Sequence, residues 1–304
     1  MPQSIPASST IELPIEVRIA AQGRSPLEAA VHRLLANRVA RGGLVIIAGF
    51  TLMAVLSPVF LPYNPQVDAD LLARLKPPSW THPFGTDALG RDMLMRILHG
   101  ARVSLGLGVG SVFLAALIGS TLGLLAGYMG RQVDLLLMLC MDILLAFPST
   151  LLAIAIVAMI GPGLRNSLIA ISVVSIPFYA RITRGEVLAL KEREFVTAAR
   201  GLGGSARRIV LWHIFPNTLP PLTVQTTLAI AFAILETAAL GFLGLGAQPP
   251  TPEWGAMLAD SYKFFTSGAW WAFFFPGVMI MLSVLGFNLV GDALRDALDP
   301  RLRI

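Results

Sequence analysis

Charge is scarce in this 304-residue chain: only 13% of residues are Asp, Glu, Lys or Arg, about half the share of an ordinary globular domain. Together with 55% apolar residues, that scarcity excludes a soluble enzyme. Cysteine is nearly absent as well. The single Cys140 lies in an apolar stretch, so neither a disulfide framework nor a thiolate metal cluster can form within the chain. The four histidines, His32, His82, His99 and His213, are scattered, and none begins an H-E-x-x-H pattern, which leaves a zinc hydrolase site without support. The three lysines follow leucine or tyrosine, never glycine. A G-x-x-x-x-G-K-[ST] phosphate loop is therefore missing, and with it ATP hydrolysis of that kind. The first thirty residues are polar, carry Pro2, Pro6, Pro14 and Pro26, and lack the short apolar core and cleavage site of a secretory signal. This tail is expected to stay on the chain.

Long apolar runs are what the sequence has instead, and the mean hydropathy is +0.71. A helical span needs roughly 20 apolar residues. Six such runs stand out, at Gly43 to Leu61, Val103 to Gly127, Leu135 to Ile160, Asn166 to Ala180, Pro220 to Gly241 and Trp271 to Val290. Asp142 interrupts the third, Pro177 the fourth and Glu236 the fifth. The expected fold is therefore all-α, a polytopic membrane protein of six transmembrane helices in contact with lipid. The net charge of +5 is read as topology, not as nucleic-acid binding. With the N-terminus inside, sixteen of the 23 Lys and Arg fall on the cytoplasmic side. The positive-inside rule thus puts both termini in the cytoplasm. Trp270 and Trp271, beside Phe273, Phe274 and Phe275, open the last span as an outer aromatic belt would. Gly106, Gly108, Gly110, Gly119, Gly123 and Gly127 let backbones approach closely, either within the bundle or against another membrane subunit.

One cytoplasmic segment carries helical periodicity without being a span. Phe195, Ala198, Ala199 and Leu202 fall at i, i+3, i+4 and i+7, with Glu194, Thr197 and Arg200 on the other face. Gly203 and Gly204 end this helix, and Ser205 can cap a second that runs toward Pro216. Such an elbow either lies on the inner leaflet, with Arg207 and Arg208 near lipid phosphates, or projects to meet a partner.

Two carboxylates stand inside apolar spans, and an intramembrane charge is costly enough to mark function or a specific pairing. Asp142 lies within reach of Arg181 or Arg184, or lines a pathway; Glu236 faces a pathway or ties to another helix. Neither is expected to be catalytic. In the outer loop Pro62 to Arg102, the stretch Gly85 to Asp92 lacks the EF-hand ligand order. It reads as a turn in which Thr86 or Asp87 caps a helix, with Met93, Leu94, Ile97, Leu98 and Ala101 as an apolar face. Asp292, Arg295, Asp296, Asp299 and Arg301 alternate in sign near the C-terminus, as on a solvated helix.

The elbow also resembles a known motif. Thr197-Ala198-Ala199, three residues, Gly203, and then Pro216 is similar to the EAA loop of membrane subunits of ATP-binding-cassette importers, which reads Glu-Ala-Ala, three, Gly, nine, Ile-x-Leu-Pro. Thr197 stands for the glutamate, and His213 and Phe215 stand for the isoleucine and leucine. From about Leu34 to the C-terminus the resemblance narrows to the dipeptide/oligopeptide importer permeases, the second of their two membrane subunits. It rests on Phe84 to Asp92, Gly100 to Leu105, Leu124 to Tyr128, Met141 to Pro148, Leu243 to Gly255 and Phe287 to Arg301.

The resemblance implies a type I importer permease fold with a cytoplasmic coupling helix. It also implies a tail over 1–33, a first span with its periplasmic loop over 34–100, a five-helix importer body over 101–293 holding the coupling loop 191–217, and a second tail over 294–304. No cofactor is expected in this chain; ATP and Mg would be bound by two cytoplasmic ATPase subunits. Glu194, Phe195, Ala198, Ala199, Arg200, Leu202, Gly203 and Pro216 would contact them. Phe195 and Leu202 would bury in a groove of the ATPase, Ala198 and Ala199 would permit close approach, and Gly203 would set the bend. A homologous second permease and a periplasmic solute-binding protein complete the implied partners. Pro250, Glu253 and Trp254, read as an exposed acidic-aromatic segment stiffened by proline, are candidates for docking the binding protein. The expected activity is ATP-driven import of dipeptides or short peptides across the inner membrane by alternating access. Glutathione or nickel complexes are the alternative cargo, and an ion-gradient transporter or a non-transporting scaffold are the rival classes.

Overall fold

The computed structural model describes residues 26–64 and 68–298. The expected prolines of the N-terminal tail before Pro26, and Asp299 and Arg301 at the other end, lie outside the described residues. Helices dominate. In chain order they are α1 (Pro26–Ala36), α2 (Arg38–Phe60), α3 (Met93–Met129), α4 (Arg131–Leu145), α5 (Ser149–Ile160), α6 (Leu164–Leu190), α7 (Glu194–Gly201), α8 (Ala206–Phe242), α9 (Trp254–Ser261) and α10 (Trp270–Leu298). Five of them, α2, α3, α6, α8 and α10, are long and apolar enough to cross a bilayer alone. The pair α4 and α5 forms a sixth candidate span, bent by 92°.

That bend is an addition to the third expected span. Asp142, the charge within the run, sits inside α4, and the backbone breaks at Ala146-Phe147-Pro148. Proline disfavours the helical region for the residue before it, and Pro148 itself, with ψ 131°, becomes the N-cap of α5. Two expected domain boundaries also fall inside helices: 100/101 lies within α3 and 293/294 within α10. The first of these follows from the start of α3. Asp92, not Thr86 or Asp87, is its N-cap, accepting the Met95 amide at 3.0 Å. The helix therefore takes in the last ten residues of the expected outer loop and runs for 37 residues, about 55 Å at 1.5 Å per residue.

The most extensive helix contact is α3 on α6, and glycine makes it. Gly119, Gly123 and Gly127 recur every fourth residue along one ridge of α3. A Cβ at Gly119 would meet the Ile176 carbonyl at 2.6 Å; at Gly123, the Ala180 carbonyl at 2.4 Å; at Gly127, the Val187 Cβ at 2.8 Å. Lipid supplies no hydrophobic drive for association, so close backbone approach is what gains dispersion energy here. Gly108 does the same against Ile234 of α8 at 2.7 Å. Of the two readings for these glycines, packing within the bundle applies to Gly108, Gly119, Gly123 and Gly127, whereas Gly106 has no atom within 4 Å.

α2 lies against α3 and α10, with Asn37 capping it through the Val39 amide at 2.9 Å. α8 packs on α3, α6 and α10, so the buried centre is shared by these four long helices. Replacing Gly123 by leucine should force α3 and α6 apart and destabilise the chain by about 1–3 kcal/mol. Thermal unfolding in detergent should register the loss, and Gly106→Ala should leave the midpoint unchanged. A Gly123→Leu chain with an unaltered midpoint would contradict the seam.

Candidate functional site

The elbow begins where α6 ends. α7 carries eight residues and stops in a Schellman arrangement: the Gly204 amide donates to the Ala199 carbonyl and the Gly203 amide to the Arg200 carbonyl, each at 3.0 Å. Gly203 takes φ +81°, the left-handed conformation that L side chains resist, so the expected bend is set there. Ser205 then caps the next turn through the Arg208 amide at 3.4 Å. The second limb is not a separate short helix. It continues through a π-helical stretch, Ile209–Ile214, and Pro216 into α8 as far as Phe242. Proline is tolerated because the widened turn has already shifted the bonding: the Phe215 amide donates to the Val210 carbonyl, five residues back.

One residue fastens the elbow to the body. Val196 is fully buried and joins Val187, Ile209 and Ile214 in a small apolar cluster that Leu124, Tyr128 and Leu190 complete. The sequence reading missed it, because Val196 sits about 100° around α7 from the recognised stripe, at 100° per residue. The stripe itself is free. Phe195 is 43% exposed and Leu202 90% exposed, Glu194, Ala198 and Arg200 are exposed, and Ala199 is half-buried. Trp212 and Leu211, just beyond the bend, are exposed too. Apart from half-buried Ala199, the expected contact residues of α7 are thus exposed, and Pro216, on the second limb, is exposed as well.

Within the spans, Asp142 pairs with Arg181, Oδ1 to Nη2 at 2.6 Å. Arg184 instead holds Asp134 in a two-toothed fork, Nε on Oδ1 and Nη2 on Oδ2. Glu236 is buried in α8. Its Oε1 accepts from Thr150 Oγ1 at 2.8 Å and Ser149 Oγ at 3.4 Å, in the first turn of α5, while its Oε2 is buried without a partner. Of its two readings, the tie to another helix is the one with geometry. A carboxylate at a helix N-terminus is favoured by the orphan amides and the dipole there, and this one holds α5 just after the bend.

The outer end is built differently from expectation. Glu253 and Trp254, read as an exposed pair, are 1% and 0% exposed. Glu253 caps α9, accepting the Gly255 and Ala256 amides at 2.8 Å each, and also the Ser104 hydroxyl at 3.1 Å. Burial pushes its carboxyl above the ordinary value, and those three donors pull it back. Trp254 donates Nε1–H to the Ile97 carbonyl at 3.1 Å and meets the Phe50 ring edge-on. Gly241 leaves room for the carboxylate, since a Cβ there would lie 2.0 Å from Glu253 Oε2. The pair therefore belongs to the core, fixed by partners on α2 and α3 that no local pattern announces.

Beside it, Asp87 is buried between Arg91 and Arg96, at 2.7 and 2.6 Å, and Arg96 reaches Asp260 at 3.3 Å. Trp271 donates to the Thr86 carbonyl at 3.1 Å and is buried, leaving Trp270 as the half-exposed member of that aromatic pair. A cavity of about 150 Å³ opens here, lined by Arg91, Arg96, Pro250 and Asp260 among others. Among the described residues no cluster of His, Cys, Asp or Glu can hold a metal ion.

Residues 119–304 match the family model of the binding-protein-dependent transport system inner membrane component, and residues 25–78 that of the N-terminal transmembrane domain of oligopeptide transport permease C. The dipeptide transport system permease protein DppC of Alkalihalophilus pseudofirmus is 52% identical over 92% of this chain and 91% of its own length. The di/tripeptide transport system permease protein DppC of Pseudomonas aeruginosa is 48% identical, covering 92% and 93%. The chain belongs to the family of binding-protein-dependent transport system inner membrane components.

Members of this family are multi-pass inner-membrane permease subunits of ABC transporters, not enzymes. They imply ATPase and binding-protein partners. The fold agrees with a solved relative: a subunit of the inward-facing MetNI methionine ABC transporter superposes with a TM-score of 0.54 at 21% identity, over 67% of this chain and 97% of that one. In this permease the buried outer core and the free elbow make opposite predictions. Trp254→Ala should cost about 3–5 kcal/mol of stability, whereas Phe195→Ala, on the open stripe, should stay within about 0.5 kcal/mol. Unfolding midpoints of the two variants in detergent test this, and equal midpoints would refute the assignment of the two faces.

Proposed function

We propose that this permease imports dipeptides or other short peptides by alternating access, driven by two cytoplasmic ATPase subunits that bind ATP and Mg and grip the elbow. The observation that carries the coupling is the elbow's two-sidedness. Val196 fixes one side to the body, while Phe195, Ala198 and Leu202 are open on the other. A partner biases two states only through contacts that differ between them, and an anchored lever with a free apolar stripe meets that requirement. Because its second limb is the base of α8, a push on the stripe acts on a span directly. Glu194 and Arg200 flank the contact, and Gly203 and Pro216 shape its two ends.

The cargo reading draws on the relatives, whose names specify dipeptides and di/tripeptides. A homologous second permease shares the membrane path, and a periplasmic binding protein delivers the peptide. With both termini in the cytoplasm the elbow lies on the ATPase side, in keeping with the distribution of Lys and Arg. The outer contact for the binding protein is then the rim near Pro250, not Glu253 or Trp254.

Uptake of labelled dipeptides should fall in cells lacking the chain, and the chain-dependent part should be abolished by vanadate and survive a protonophore. Loss to the protonophore alone would mean an ion-gradient carrier, and chain-dependent uptake of glutathione or chelated nickel without peptide would move the cargo. Leu202→Asp should lower peptide uptake at least tenfold with normal chain levels. Gly203→Val has open space around its Cβ but strains a positive φ; it should insert normally and fail to transport. Normal uptake by both variants would end the coupling reading.

A further inference from the structure

Charged side chains at depth gather along one seam, between the broken span and α6. Asp134 and Asp142 stand on α4, and Arg181 and Arg184 on α6. The two ion pairs differ in kind. Asp134 and Arg184 close a fork that uses both carboxylate oxygens, and their side chains are mostly covered. Asp142 and Arg181 touch through one oxygen and one nitrogen only, and are 56% and 53% exposed. Asp142 Oδ2 and the remaining guanidinium nitrogens of Arg181 are left for another ligand.

Depth makes that exposure informative. Asp142 is eleven residues along α4 from Arg131, about 16 Å at 1.5 Å per residue, and Arg181 lies nine residues before the end of α6, about 14 Å. Charged side chains this far inside helices of candidate membrane spans turn to a water-filled cavity or to protein, not to lipid. A half-open, single-toothed pair offers one negative and one positive group side by side. A short peptide carries the complement: an ammonium at one end and a carboxylate at the other, at most about 7 Å apart in a dipeptide. The closed fork of Asp134 and Arg184 holds the seam together, so the open pair is free to exchange partners.

We propose that Asp142 and Arg181 form a binding site for the zwitterionic backbone of a short peptide in transit, Asp142 taking the ammonium and Arg181 the carboxylate. No bond is made or broken; one ion pair is traded for two charge-assisted contacts. This rests on the peptide-import reading, and the first arm of the test separates the two.

The complete transporter, in a Cys140→Ser background, is reconstituted with its binding protein and assayed for uptake of a dipeptide with free termini. No uptake by this parent would refute the import reading itself. Given uptake, Leu139→Cys, exposed one turn before Asp142 on the same face of α4, should react with a charged, membrane-impermeant thiol reagent, and dipeptide supplied during ATP-driven turnover should slow the reaction at least threefold. The neutral pair Asp142→Asn with Arg181→Gln should assemble with the second permease as the parent does, and should lose uptake at least tenfold. Absence of labelling, labelling that peptide leaves unchanged, loss of assembly in the neutral pair, or full uptake by it would each overturn the site.

Discussion

Everything at the working end of this permease hangs on the glycine ridge of α3. Gly119, Gly123 and Gly127 bring α3 against the backbone of α6 at Ile176, Ala180 and Val187. Such contact is the main cohesive force between helices whose surroundings are as apolar as their side chains. Val187, where the ridge ends, is also the first member of the cluster that receives Val196, Ile209 and Ile214. The seam and the elbow's anchor are therefore one continuous packing unit. Arg181 and Arg184 project from the same stretch of α6 toward α4, so the position of the charged seam is fixed by the same glycines.

The opposite end is held by polarity instead. Asp87 sits between two buried guanidinium groups and also accepts the Leu89 and Arg91 amides at 2.8 and 2.9 Å. Buried ion pairs add little net stability once desolvation is counted, but removing one partner leaves a costly orphan. Their effect here is to hold one geometry: the outer loop is fastened to α3 through Arg96, to α9 through Asp260, and to α10 through Trp271 and Thr86. The stretch around Thr86 to Arg96 is thereby fastened to three helices, and the two ends of the bundle are built by different physics.

How much of this was legible follows from the range of each determinant. The spans were readable because lack of charge over twenty residues is a local property, and the elbow because Gly203, Gly204 and Ser205 dictate a helix stop and restart within three positions. The Asp142–Arg181 pairing was within reach, since two opposite charges in apolar runs have few other partners. Glu253 and Trp254 were not legible: their proline-rich neighbourhood has the composition of a surface turn, and the groups that bury them, Ser104, Ile97 and Phe50, lie on helices about 150 residues or more away. Val196 was hidden for a related reason. Periodicity finds the wide apolar stripe, which here is the face left open, and cannot find the single side chain that fixes α7 to its own body. The break of the third span went unread because only charge was followed along the run, when the backbone restriction at Phe147-Pro148 is the local constraint that bends it.

These parts combine into one mechanical path. α8 runs unbroken from Ala206 beneath the elbow to Phe242 beside α9, about 55 Å of helix. Along it, Glu236 grips the first turn of α5 through Thr150 and Ser149. α4 and α5 are joined only by the short break at 146–148, so they can change their mutual angle where an intact helix would resist. The limb that begins at the elbow is thus joined to α5 through a hydrogen-bonded carboxylate, while α4 is tied to α6 by the Asp134–Arg184 fork. The two halves of the broken span answer to different helices. The bend at 146–148 lies outside the glycine seam of α3 and α6, so the break in the span and the close-packed core are separate features of one bundle.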